Sequence, residues 1–107
     1  MTNKNERAEQ MLDKDQVYRI LKAELPRLWE RFHVRELKLF GSYSRSDQSN
    51  KSDIDILVTF DEVIDLFEYI KLENELSDLL GYNVDLVMES SLRAGLKDDV
   101  EKEAITI

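Results

Sequence analysis

Asp53 and Asp55 stand two residues apart in the run Ser52-Asp53-Ile54-Asp55-Ile56-Leu57-Val58. In a strand, that spacing turns both side chains to one face, where their carboxylates can share a metal ion. Magnesium is a hard cation that takes carboxylate and phosphate oxygens and keeps several waters, so two or three aspartates and a nucleoside triphosphate complete its shell. Two such ions roughly 3.5–4 Å apart lower the pKa of an attacking hydroxyl and neutralise a leaving pyrophosphate. Asp85, in a second run bracketed by apolar residues, is the third candidate ligand and the group placed to help deprotonate an acceptor hydroxyl. An Asp-x-Asp pair alone is common at strand ends and on surface faces. Gly41-Ser42 upstream changes its meaning. A glycine just after a strand lets the backbone turn tightly and approach a phosphate, while the next hydroxyl and the N–H groups of a following helical turn bond phosphate oxygens.

The elements that must position these residues follow from periodicity. From Asp15 onward, Val17, Ile20, Leu21, Leu25, Leu28 and Phe32 recur at helical spacing, with Asp15 as the expected cap and a kink or new segment expected at Pro26. Residues 36–40 alternate polar and apolar and run into Gly41, a short strand ending in a turn. A polar stretch leads to a second strand carrying Ile54, Ile56 and Val58 on one face and the paired aspartates on the other. Asp65 caps a second long helix, for which Leu66, Phe67, Ile70, Leu76, Leu79 and Leu80 form the expected apolar stripe and Gly81 the stop. Residues 83–88 read as a third strand, and Ser90 or Ser91 as the cap of a last helix running to about Glu103, followed by a β-compatible end. This order predicts an α+β fold: a small mixed β-sheet with helices packed on one face and the other face open. An open face seeded with Asp53, Asp55 and Asp85 is electrostatically costly unless a cation resolves it.

The 107 residues suffice for one core, and we expect a polar N-terminal segment, residues 1–14, followed by a single domain over 15–107. Fifteen Lys and Arg against 23 Asp and Glu give a net charge of −8, which disfavours a nonspecific grip on DNA or RNA phosphates and favours a protein partner or a metal-bridged nucleotide. There is no cysteine, so disulfides and thiolate metal sites are excluded. The N-terminus lacks an apolar signal core and no window is apolar enough to span a bilayer, so no membrane association and a cytoplasmic location are expected.

Gly41-Ser42, ten intervening residues and Asp53-Ile54-Asp55 together resemble the signature of the DNA polymerase beta-like nucleotidyltransferase superfamily. More closely, Leu39-Phe40-Gly41-Ser42-Tyr43-Ser44-Arg45 and the strand that follows resemble the minimal nucleotidyltransferase, or MNT, proteins, over most of the chain. The resemblance implies that Gly41 and Ser42 contact a triphosphate, that Asp53 and Asp55 bind magnesium, that Asp85 completes the site, and that Arg45 is the basic residue of the phosphate turn. It further implies ATP as substrate, magnesium as cofactor, and a HEPN-type RNase toxin as partner in a hetero-oligomer, a tyrosine of which is adenylylated by its antitoxin. Many members of the family carry glycine directly after the arginine. This chain has Ser46-Asp47, which makes the turn less permissive and adds a negative charge near the phosphates.

Alternative readings stand beside these. The protein can neutralise its partner by binding alone, or transfer a nucleotide to a small molecule such as an aminoglycoside, or to RNA; the acidic charge and the lack of length for an acceptor domain weigh against the last two. Ser42 can simply cap a helix, and Arg45 and Asp85 can be surface residues. His33 reads as a helix terminus with no ligand role, Trp29 and Phe32 as core or subunit-contact residues, and the charged run 97–103 as a solvated helix face.

Overall fold

The structure is a computed structural model that describes residues 12–46, 48 and 53–107. Most of the polar N-terminal segment, and Asp47 with its added charge, lie outside the described residues. Helix α1 spans Lys14–Phe32, and its cap is Asp13, two residues earlier than the expected Asp15. The Asp13 carboxylate accepts from the Gln16 N–H at 2.9 Å, and the Gln16 side chain accepts in return from the Asp13 N–H at 2.9 Å. Only Asp13 has a glutamine three residues on, so this reciprocal pair selects it; Asp15 instead lies in the first turn, where the helix dipole favours negative charge. The expected new segment at Pro26 does not appear, because α1 continues through it. Proline costs about 3 kcal/mol inside a helix. Here Val17 and Leu21 before it and Leu28 and Phe32 after it are buried in the same core, which holds both halves in line. His33 ends the helix in the left-handed region, φ 61, with its N–H bonded to the Trp29 carbonyl at 2.9 Å.

Strand β1, Val34–Phe40, starts two residues before the expected Glu36. Its register against the next strand shifts between Val34 and Glu36, so Val34 and Leu37 are both buried although three residues apart. That bulge conceals the start from a period-two reading. A one-turn helix, α2 (Ser42–Arg45), leads to β2 (Ile54–Phe60). Helix α3, Leu66–Leu80, is capped by Asp65, whose carboxylate accepts from the Glu68 N–H at 2.9 Å, and is stopped by Gly81 at φ 75. Its apolar residues divide between two faces, contrary to the single stripe expected. Leu72, Leu76 and Leu80 are buried, whereas Leu66, Phe67 and Ile70 are exposed. Strand β3, Val84–Met88, is followed by a 3-10 turn over Glu89–Ser91 and then α4, Ala94–Glu103. Ser90 and Ser91 therefore do not cap the last helix; they belong to the 3-10 turn, and Arg93 takes the cap position. The chain closes with β4, Ile105–Thr106.

The four strands stand in the order β3-β2-β1-β4, with β2 and β3 parallel and the other pairs antiparallel. This is the expected mixed sheet. Leu37, Leu39, Ile54, Ile56, Val58, Val84 and Leu86 join the buried residues of α1 and α3 in one core, which places the two long helices on one face. On the opposite face, Lys38 pairs with Leu57 in register, and Glu101 of α4 lies 3.6 Å from the Lys38 ammonium. The short α4 thus crosses part of the second face near β4, where Leu57 of β2 is buried, and leaves accessible the part of the β2–β3 side that carries Asp55 and Asp85. No helix among the described residues is long and apolar enough to cross a membrane.

Candidate active site

The open part of the sheet holds the carboxylates. Asp55 and Asp85 are register partners on the parallel strands β2 and β3, so they sit side by side on one face. Asp53 immediately precedes β2 and is exposed. On its other side, Asp55 pairs in register with Phe40, the last residue of β1, which brings Gly41 against the aspartate. Gly41 has φ 76 and ψ −151, a region open essentially to glycine alone. A Cβ at this position would lie 2.2 Å from Asp55 Oδ2. Turn and carboxylate therefore occupy each other's contact surface, and the phosphate-type turn and the candidate metal ligands meet as the sequence predicts.

Electrostatics report the same gathering. Burial, then the charge of Asp85, then that of Asp53, push the Asp55 carboxyl up to about 6, with Arg45 acting in the opposite sense. The charges of Asp53, Asp85 and Arg45 thus all act on Asp55, and Asp85 stands beside it in register. Among the described residues, no three His, Cys, Asp or Glu side chains are drawn together tightly enough to hold an ion as they stand. The donor chemistry nevertheless fits magnesium: oxygen ligands only, two of them adjacent on neighbouring strands, and an ionisation cost at Asp55 that a cation removes.

The turn itself is built differently from a serine-capped helix. Gly41 takes the N-cap position and Ser42 is the first helical residue, so Ser42 is not the cap. Ser44 supplies the local hydroxyl bond, donating to the Gly41 carbonyl at 2.9 Å. Tyr43 is fully buried in the core and fastens the turn to the sheet. An aromatic residue inside a polar stretch was the signal for this anchor, and the reading from sequence passed over it. Arg45 projects its guanidinium to the end of α4, where it donates to Glu103 Oε1 at 2.9 Å. No local pattern announces that pair, since 58 residues separate its members. Ser46, directly after Arg45, is held at φ 62 and ψ 30, a left-handed conformation that glycine adopts without cost. Of the remaining aromatic expectations, Phe32 is in the core, while Trp29 is exposed and donates its Nε1–H to Asp61 at 2.6 Å. His33 lies 3.7 Å from Glu62, away from the site.

The structure thus sets a glycine turn against a strand-borne carboxylate, with a second carboxylate on the next parallel strand. The nucleotidyltransferase domain family matches residues 18–107, and the chain belongs to that family. It is 45% identical over 97 residues to the protein adenylyltransferase MntA of Thermococcus cleftensis, a match covering 91% of this chain and 98% of the relative. The solved structure of a minimal nucleotidyltransferase superposes with a TM-score of 0.77 at 33% identity, covering 90% of this chain and 97% of the other. A chain from the complex of tri-AMPylated Shewanella oneidensis HEPN toxin with MNT antitoxin superposes with a TM-score of 0.55 at 26% identity, over 87% of this chain and 66% of the other.

Proposed function

We propose that this nucleotidyltransferase is an antitoxin that transfers AMP from ATP to a tyrosine hydroxyl of a HEPN-type RNase toxin, with which it forms a hetero-oligomer. The contact between Gly41 and Asp55 carries the reading, because it sets a backbone turn suited to phosphate directly against a carboxylate whose ionisation calls for a cation. Asp53, Asp55 and Asp85 would hold magnesium, which when bound activates the attacking hydroxyl and offsets charge on the triphosphate. Gly41, Ser42 and Arg45 bind and orient the phosphates, the glycine by close backbone approach and the arginine by charge-assisted hydrogen bonds. Asp85, the carboxylate beside Asp55 on the edge strand, accepts the phenolic proton. The tyrosine oxygen then forms its bond to the α-phosphorus as the bond to pyrophosphate breaks, and pyrophosphate leaves. The adenylyltransferase relative and the AMPylated toxin complex support the choice of nucleotide and acceptor class. Incubation with labelled ATP, magnesium and the protein encoded beside this chain, a HEPN-type toxin on this reading, should label that protein. Equal labelling by wild type and Asp53→Asn would sink the catalytic claim.

A second reading, neutralisation by binding alone, draws support from Ser46 in a left-handed conformation and from carboxylates not gathered into a closed set. Full suppression of toxicity by an Asp53→Asn, Asp55→Asn double variant would decide for it.

A further inference from the structure

Helix α3 carries a second apolar face that no described residue covers. Leu66 is 69% exposed, Phe67 77% and Ile70 44%, and the preceding Val63 is fully exposed. These residues lie on the first two turns, turned away from the buried Leu72, Leu76 and Leu80. Contiguous exposed apolar surface of this kind marks an interaction site. Leu66 also forms one wall of a cleft of about 450 Å³ whose other walls are Ile64, Tyr69, Leu86, Val87 and Met88.

The cleft lies against β3, the strand that carries Asp85. Val87 lines it and shares the open face of the sheet with Asp85, two residues earlier on β3 and so roughly 7 Å away along the strand. Tyr69 reaches both regions: its hydroxyl donates to the Leu86 carbonyl, and burial, then Glu73, then Asp85, hold that hydroxyl above its ordinary pKa. The edge of β3 is closed to an added strand at this level. The Leu86 N–H donates to Glu73 at 2.9 Å, the Val84 N–H to Ser77 at 3.0 Å, and Tyr69 occupies the Leu86 carbonyl. An occupant must therefore dock by side chains. A second copy would bring together two chains of net charge −8, whereas a positively charged partner is attracted by that charge.

We infer that Leu66, Phe67, Ile70 and the cleft beside them form the docking surface for the protein acceptor, which inserts an apolar side chain from a positively charged surface and so brings its hydroxyl toward Asp85. This rests on the adenylyltransferase reading for the identity of the acceptor and adds where the acceptor is held. Aromatic and branched apolar anchors inside a charged rim are the usual centre of such contacts.

The test uses the whole chain, its HEPN-type neighbour, the double variant Leu66→Glu, Phe67→Glu, and Leu96→Glu as a control at another exposed apolar residue on α4. Affinity for the neighbour is measured calorimetrically, AMP transfer by labelling, and MgATP binding by thermal shift. The double variant should bind the neighbour at least tenfold more weakly and lose labelling in parallel, with the MgATP shift and the unliganded Tm unchanged; Leu96→Glu should match wild type. Wild-type affinity in the double variant overturns the inference, as does a wild-type chain that does not bind the neighbour. Binding without transfer by wild type contradicts the adenylyltransferase reading alone, and loss of that binding in the double variant still supports the docking surface. A concentration-dependent dimer in sedimentation that Phe67→Glu dissolves assigns the surface to a second copy and overturns the inference.

Discussion

Alanine at position 41 would place a methyl carbon 2.2 Å from Asp55 Oδ2 and force a non-glycine residue to φ 76 and ψ −151. Backbone strain of this type costs about 1–3 kcal/mol, and a shift of about 1 Å in a reacting group costs on the order of a hundredfold in rate. Gly41→Ala should therefore lower Tm and reduce kcat/KM at least a hundredfold, seen by calorimetry and steady-state labelling; near-normal activity would show that Asp55 need not sit where it does. Asp55 supplies the opposite case. Its carboxyl is raised to about 6 in the fold against an ordinary 3.8, so the folded chain holds the proton more tightly than the unfolded one. Its contribution to stability is complete below the ordinary pKa and is lost as pH rises through about 6. In magnesium-free buffer, Asp55→Asn should then gain Tm relative to wild type as pH rises from 4 to 7 while losing activity, and thermal melts across that range check it. Ser46 carries local strain of a third kind at φ 62. Ser46→Gly should raise stability by about 1 kcal/mol in denaturant unfolding, since glycine removes the left-handed penalty. At this scale Asp53, Asp55 and Gly41 were legible because their spacing maps directly onto two adjacent strand ends. Arg45 was legible as a basic residue of the turn, but its bond to Glu103 was not, because only the folded chain brings α4 back to α2.

Elements were legible where local chemistry decides them. Asp65 and Gly81 bracket α3 through a side-chain cap and a left-handed stop, and the alternation of Ile54, Ile56 and Val58 marks β2. Tertiary effects account for the differences. The shift of register at Val34/Glu36 breaks the alternation that would have extended β1, and the shared core carries α1 through Pro26. In α3 a composition rich in leucine conceals two separate faces, because helical spacing alone does not say which face meets the sheet. The placement of α4 rests on Lys38, whose ammonium lies 3.8 Å from Glu36, 3.8 Å from Glu89 and 3.6 Å from Glu101. This half-buried cation joins β1, the 3-10 turn and α4. Lys38→Met should leave three carboxylates facing one another and destabilise the chain by roughly 1–2 kcal/mol, less than for a fully buried charge because the glutamates remain partly in water. Urea unfolding measures it, and an unchanged midpoint would mean that apolar contacts alone hold α4 in place.

For the whole molecule, the division of faces matters most. Helices α1 and α3 bury one side of the sheet, α4 covers the β4 end of the other, and the strip over β2 and β3 is left for chemistry. The net charge of −8 disfavours bare nucleic acid as acceptor, and in the proposed mechanism the glycine turn, Arg45 and a cation held by the aspartates bind the triphosphate. On the proposed reading, one face serves nucleotide and acceptor together, and the apolar surface beside β3 adjoins the carboxylates on it. Intact-mass measurement of the HEPN-type neighbour after incubation with ATP, magnesium and either wild type or Asp53→Asn tests that chemistry most directly. Wild type should add whole AMP units and Asp53→Asn none; a neighbour of unchanged mass with wild type, or equal additions with both, would contradict it.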